Sequence, residues 1–508
     1  MAVFNVDKAR NVVPNLRDFV TTARLGELST PNEQHYSQHD FHGLISLLNQ
    51  WKQSPCLSVA LDLLNYTYVT NADVSDNEIQ AAAKLVLSHD KSTNLQRKLV
   101  RRILVNEGTN LQGLFERNHL SENLNADTTQ IYQRINFLKK LLIDMPSNHI
   151  AYADMSRLYS IIGQEDKSLK NMYVAFSLNP NNRFVVRSFI RLLVHYHEDR
   201  WALSLLHKHT DNIITDPWIL SAEVALCTMQ NMTSQYHKKA LRMINNWSKN
   251  QFHISELSSA LATAEMYVGD RKQYRKLFKN SVIEPNDNAL AQIEWASSKD
   301  NTLSIDLDKS QLTLMHEAKA RDYFYKKQWD KALIYLNKWQ IDQPFSKTPL
   351  LMRAGITSSV FHNHIEAAEI SKGGLVSHHN DPQLLNNIAY YYALQNQCDD
   401  ALSYLQRIDH AKCDPILVMC AIATNGLIEY RLGHVEAGRA LYRQAMMRAE
   451  QLRNDELYNL AKLNQIREEV IYLKSMTSEQ MEFIDRLKGG IPLDAEFIKN
   501  EILSMIRT

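Results

Sequence analysis

Four alanines recur at nearly equal intervals along the second half of this 508-residue chain. They are Ala332, Ala367, Ala401 and Ala437, with steps of 35, 34 and 36 residues. A period in this range, without strand alternation, predicts a helical repeat. Each unit is a helix pair that cannot bury its apolar face alone, so neighbours must stack. The period therefore sets the fold class as all-α. It also points toward binding, because stacks of this kind present extended surfaces rather than reaction centres.

The residues around those alanines define the unit further. From Glu317 to Pro344, Tyr323 lies nine before Ala332, Trp329 three before it and Pro344 twelve after it. The next clear unit carries Leu385, Ile388, Ala389, Tyr392, Ala401 and Leu405. Gly426, Gly433, Gly438, Tyr442 and Ala445 mark another, and Gly355 and Ala367 a weaker one. Upstream, Tyr152, Tyr159, Gly163, Ala175 and Pro180 fall at matching offsets. This set resembles the tetratricopeptide repeat family. The resemblance implies a right-handed superhelical solenoid of antiparallel helix pairs. Its expected parts are an N-terminal helical region (1–146), degenerate repeats (147–300), clear repeats (311–448) and a C-terminal helical cap (449–508). Small residues would let the paired helices touch, large ones would fill the gap, and the proline would end the unit.

The remaining sequence also reads as helix. Asp40 can cap a helix whose apolar positions are Phe41, Leu44, Ile45 and Leu48. Ser54 followed by Pro55 predicts the next helix start. Ser75 with Glu78, and Thr477 with Gln480, have capping-box spacing. Ile131, Ile135, Leu138 and Leu142 form one stripe that stops at Pro146. The polar segment 298–310 reads as a linker or hinge, and 25–40 as a boundary after a short N-terminal arm.

Charge and composition narrow the function classes. The chain holds 57 basic and 56 acidic residues, for a net charge of +1. That gives no global pull toward nucleic acid or an anionic membrane. The N-terminal segment lacks the apolar run of a secretory signal. The strongest apolar run, Ile416 to Ala423, is too short to span a bilayer. The five cysteines, Cys56, Cys227, Cys398, Cys413 and Cys420, read as reduced packing residues, and the expected setting is cytoplasmic.

Catalytic and metal-binding motifs are sparse. No phosphate-loop, zinc-helix or nucleophile-elbow pattern occurs. His35, His39 and His42 would share a helical face, but no fourth ligand accompanies them. His362-Asn363-His364 and His378-His379 fall in predicted turns. Asp306 and Asp308 form an isolated acidic pair in the polar segment. The expectation is a protein that is not an enzyme and carries no metal or cofactor. Two basic stretches stand out. One holds Arg97, Lys98, Arg101 and Arg102. The other holds Arg271, Lys272, Arg275, Lys276 and Lys279, with Tyr274 and Phe278 interleaved. The near-neutral total favours solvated helix faces over a nucleic-acid surface.

The family resemblance implies a concave groove lined by the first helix of each pair. Aligned positions are Arg157, Arg187 and Arg191, then Glu317, Arg321, Arg353, Asn386, Tyr390 and Arg431. Of these, Arg321, Arg353, Asn386, Tyr390 and Arg431 are the expected partner-binding set, with Tyr390 as an apolar anchor and the arginines facing carboxylates. Asn386 and Tyr390 occupy two positions of the family's chaperone-tail clamp without matching its residues, so a chaperone tail is not implied. The expected function is an interaction scaffold or adaptor for a protein partner or an acidic peptide segment. The alternative is a sensor or regulatory subunit of a bacterial multi-protein system that controls a separate effector enzyme.

Overall fold

The computed structural model describes residues 16–17, 41–70, 75–104, 128–208, 214–248, 250–309, 312, 314–487 and 493–507. Among these residues there are 25 α-helices, three 3-10 turns and no strand. The chain is all-α, as its apolar spacings predict. It divides into two compact units, residues 9–344 and residues 345–508.

The first unit opens with α1 (Phe41–Gln53), α2 (Leu57–Thr70), α3 (Asn77–Ser88), α4 (Asn94–Leu104) and α5 (Thr128–Asp144). Helical pairs follow: α6 (His149–Ile161) with α7 (Glu165–Leu178), α8 (Arg183–His195) with α9 (Asp199–His207), and α10 (Pro217–Met229) with α11 (His237–Asn245). Next come α12 (Phe252–Val268) with α13 (Arg271–Ser281), then α14 (Asp287–Ser297), and α15 (His316–Tyr325) with α16 (Trp329–Asp342). In the second unit α17 (Lys347–Ser359) pairs with α18 (His364–Gly374), α19 (Pro382–Leu394) with α20 (Cys398–Leu405), and α21 (Pro415–Arg431) with α22 (Val435–Gln451). The described chain closes with α23 (Asp455–Leu473), α24 (Ser478–Arg486) and α25 (Leu493–Arg507).

The turn inside seven of the pairs is built one way. A single residue takes a left-handed φ: Gly163, His197, Asn231, Gly269, Lys327, Asn396 or Gly433. The next amide then donates to the carbonyl five residues earlier. Gln164 reaches Tyr159 at 2.9 Å, Glu198 reaches Leu193 at 2.8 Å, Met232 reaches Cys227 at 2.8 Å and Asp270 reaches Glu265 at 3.1 Å. Gln328 reaches Tyr323 at 2.9 Å, Gln397 reaches Tyr392 at 3.0 Å and His434 reaches Glu429 at 2.8 Å. This is Schellman closure, which satisfies carbonyls that a helix end leaves without partners. His362 also takes a positive φ, and there Asn363 reaches back to Thr357 at 3.0 Å. The left-handed residue recurs every 34 residues from 163 to 197 to 231, and again from 362 to 396.

Small residues sit where the second helix of a pair crosses the first. Ala202, Ala332, Ala367 and Ala401 are fully buried, and so is Ser168. In the last pair the residue is Gly438, not the expected Ala437, which is exposed. A Cβ added at Gly438 would lie 2.5 Å from Tyr430 Cδ2 and 3.0 Å from the Gly426 carbonyl oxygen. α22 therefore packs one residue out of step with the alanine count. Paired tyrosines repeat as well: Tyr323 stacks on Tyr335 with ring centroids 5.4 Å apart, and Tyr392 on Tyr404 at 5.7 Å.

Local details sharpen several expectations. Thr477 and Gln480 form a complete capping box at α24. At α3 the cap is Asp76, whose side chain accepts from the Glu78 amide, rather than Ser75. α2 begins two residues beyond Pro55, with the Ala60 amide donating to the Cys56 carbonyl. In α1 the core face is Leu47 and Trp51, while Ile45 is exposed, so the apolar stripe is rotated from the one expected. Ile131, Ile135 and Leu138 are buried along α5. The segment expected as a linker forms 3-10 turns at Asn301–Leu303 and Leu307–Lys309 and buries Leu303 and Leu307. Asp40, His35 and His39, and the side chain of His42, lie outside the described residues.

Candidate functional site

The five expected groove residues have different surroundings. Arg321, on α15 of the first unit, is 1% exposed. Its Nε donates to Glu317 Oε1 at 3.1 Å, and its guanidinium lies over the Trp339 ring at 5.4 Å. The i, i+4 pair turns inward, so Arg321 is a core cation. Arg187 is also engaged internally, donating from Nη2 to both Glu256 oxygens at 2.9 Å and lying 4.7 Å over Trp218.

In the second unit Asn386 is fully buried on α19 and accepts from Thr424 Oγ1 of α21 at 2.9 Å. Tyr390, one turn further, donates its hydroxyl to Asn464 Oδ1 at 3.2 Å and accepts from Arg467 Nη1 at 3.1 Å. Arg431, at the end of α21, grips Glu468 through Nε at 2.7 Å and Nη2 at 3.2 Å, and reaches Asn396 with Nη1 at 3.1 Å. The expected one-turn spacing of Asn386 and Tyr390 holds. Their polar atoms, however, are used by α21 and α23 of the same unit.

Arg353 differs. It is half-buried on α17 and takes part in no hydrogen bond or ion pair among the described residues. Burial draws its guanidinium below the usual range, against the opposing pull of Glu366. A partly desolvated cation in this state favours an incoming carboxylate.

The hub of the second unit is a residue that family alignment did not single out. Arg467 of α23 is 2% exposed, and its Nε donates to Glu468 Oε1 at 2.8 Å. Glu501 of α25 stands 3.6 Å from its Nη1. Asn464, Arg467 and Glu468 follow helical i, i+3, i+4 spacing and so share one polar face. The next residue, Glu469, accepts from Tyr430 at 3.0 Å and from Arg439 Nε at 2.9 Å. Burial would raise the Glu469 carboxyl, but Arg439 and Tyr430 hold it below its usual range. A cleft beside the hub is lined by Ser358, His364, Tyr390, Asn464, Arg467 and Glu501, among others. Burial, with Arg467 nearby, lowers His364 to about 4, so its ring is neutral at pH 7. The run Arg467-Glu468-Glu469 lies in the stretch of α23 from Leu463 to Val470, which is buried throughout.

The first unit has its own ionic centres. Arg183 Nε donates to Asp216 Oδ2 at 2.6 Å, and its Nη1 donates to Gln50 Oε1 at 2.6 Å. Ser58 donates to the same Asp216 oxygen at 2.6 Å. These bonds tie α1, α2, α8 and the start of α10 together. A second centre holds Leu16 and Arg17. Leu16 is 1% exposed, and Arg157 Nε donates to its carbonyl at 3.4 Å. Arg17 lies between Asp342 and Asp287.

The second basic stretch forms the exposed face of α13, where Arg271, Lys272, Lys276 and Lys279 point to solvent. Tyr274 and Phe278 are buried on the opposite face, which leaves no ring available to stack on a base. Tyr274 and Arg275 instead donate to Asp300 at 2.7 and 2.8 Å. Among the described residues, no group of three or more His, Cys, Asp and Glu side chains could hold a metal, and no helix is long and apolar enough to cross a membrane. In comparisons with known proteins, no family model matches the chain and no curated protein matches it.

Proposed function

We propose that this protein is an interaction scaffold, a tetratricopeptide-like stack of helix pairs that binds a protein partner through an acidic segment. The recurrence of one turn design across the pairs supports this reading. A fixed turn and a buried small residue repeat, while the exposed positions are left to vary. Such a stack would be right-handed and superhelical, with α23 to α25 as its cap. Asn386, Tyr390 and Arg431 give the second unit its shape, and Arg353 is the contact offered to the partner. A carboxylate on the partner would pair with Arg353, whose charge is already partly stripped of water.

The experiment is affinity capture with the full chain as bait, in parallel with Arg353→Glu. The expected result is one protein recovered in stoichiometric amount with the wild type and lost with the variant. Recovery of no stoichiometric partner, or equal recovery on both baits, would contradict the reading.

A further inference from the structure

Arg17 is seated as a ligand would be. Its Nε donates to Asp342 Oδ1 at 2.8 Å and its Nη2 to Asp342 Oδ2 at 2.6 Å, a two-pronged fit to one carboxylate. Nη2 also lies 2.9 Å from Asp287 Oδ2. The guanidinium is 4% exposed, and the carboxylates come from the first residue of α14 and the last residue of α16. His316, the first residue of α15, stands nearby. Burial, together with the charge of Arg17, holds its ring below the ordinary histidine range, although the two aspartates pull upward. Leu16 is buried beside the clamp, and its backbone carbonyl is read by Arg157 of α6. The recognition therefore covers a guanidinium, an apolar side chain and a main-chain carbonyl.

Without a cation the clamp would hold two carboxylates with little access to water, which is costly. The cation must also suit the geometry. A lysine ammonium is a point charge and cannot present two parallel N–H groups to Asp342. The chemistry selects arginine, and the buried Leu16 selects an apolar residue before it.

We propose that this clamp is a recognition site for a leucine-arginine segment, filled here by the chain's own Leu16 and Arg17, and that a second such segment takes it when those two residues leave. The inference rests on the scaffold reading for its purpose but uses different residues and the other unit. A tethered ligand competes at an effective concentration in the millimolar range, so an outside segment would bind the intact chain weakly.

The test uses full-length Arg17→Ala and a labelled peptide spanning residues 12–21, VVPNLRDFVT. Fluorescence polarisation should show saturable one-to-one binding to Arg17→Ala, and at least tenfold weaker binding to the wild type. Binding should fall at least tenfold when the peptide carries lysine in place of its arginine, and when Asp342→Asn is added to Arg17→Ala. Equal affinity for wild type and Arg17→Ala, or for the arginine and lysine peptides, would overturn the proposal. So would no binding to folded Arg17→Ala. If Arg17→Ala loses its helical circular dichroism, the peptide must restore it, and failure to restore it also overturns the proposal. A negative result here leaves the Arg353→Glu capture experiment free to succeed, so the two readings fail separately.

Discussion

In residues 9–344 the α6–α7 crossing buries a serine, where the crossings of residues 345–508 bury alanine or glycine. The α6–α7 crossing is built on Ser168, whose hydroxyl donates to the Ser156 carbonyl at 2.9 Å while Ser156 donates to the Ser168 carbonyl at 2.8 Å. Glu256 is buried on α12 and accepts from Arg187 and Asn286. The α21–α22 crossing is built on Gly438 against Tyr430. Both units make the same kind of turn. The contrast shows that one hairpin geometry tolerates a hydrogen-bonded crossing and an apolar one. It also shows that a buried arginine can be held by aspartates, as at Arg17, or by glutamate and tyrosine, as at Arg467.

The largest expected effect tests the second of these ionic centres. Arg467→Met would leave Glu468 to Arg431 alone and the Tyr390 hydroxyl without its cationic donor. Breaking a buried pair outright costs about 3–5 kcal/mol, which is the ceiling here because Arg431 remains on Glu468. Urea unfolding should show that loss. A loss under about 1 kcal/mol would mean the hub is wetter than its burial implies.

The next test concerns Asp62 in the first unit. Burial, partly offset by Arg183, pushes its carboxyl up to about 7. The folded state therefore holds a proton that the unfolded state, near its ordinary value of about 3.9, gives up. Stability from this group is fully present below the unfolded value and is lost as pH rises through about 7. The ceiling is about 4 kcal/mol, set by the interval between those two values. Chemical denaturation between pH 5 and pH 8 should show the wild type weakening relative to Asp62→Asn. Parallel profiles would place no proton on Asp62.

Much of the second unit was legible in the sequence, and the reasons are physical. Alanine at a crossing leaves a mark at its position, and Ala367 and Ala401 are both fully buried. Serine does the same steric work at 168 but belongs equally to loops and caps, so it carries no such mark. The turns are similar. Gly163 and Gly433 announce a left-handed residue, whereas His197 and Lys327 adopt the same φ at a cost that composition does not reveal. The candidate site was less legible still. Helical spacing placed Asn386 and Tyr390 on one face of α19, but only the path of the chain shows α23 already bonded to Tyr390. The step from Ala437 to Gly438 is a smaller failure of the same kind, since counting residues cannot see a crossing that shifts by one.

That shift gives a pair of smaller predictions. Ala401→Leu should overpack the α19–α20 crossing and cost about 1–3 kcal/mol. Ala437→Leu, on the exposed side of α22, should stay within about 0.5 kcal/mol of the wild type. Thermal melts of the two variants compare them directly. Equal losses would return the crossing to Ala437.

The contrast between engaged and available groove residues is tested most directly by the affinity of the captured partner for two full-length variants, Arg353→Glu and Tyr390→Phe. Tyr390→Phe removes a buried hydroxyl that serves Asn464 and Arg467, so it should cost stability, about 1–3 kcal/mol. It should leave partner affinity within about twofold, an allowance of under half a kcal/mol. Arg353→Glu should retain the fold and weaken binding at least about tenfold, or 1.4 kcal/mol. The reverse pattern, with binding lost at Tyr390→Phe and kept at Arg353→Glu, would contradict the account and make Tyr390 the anchor that the sequence alone suggested.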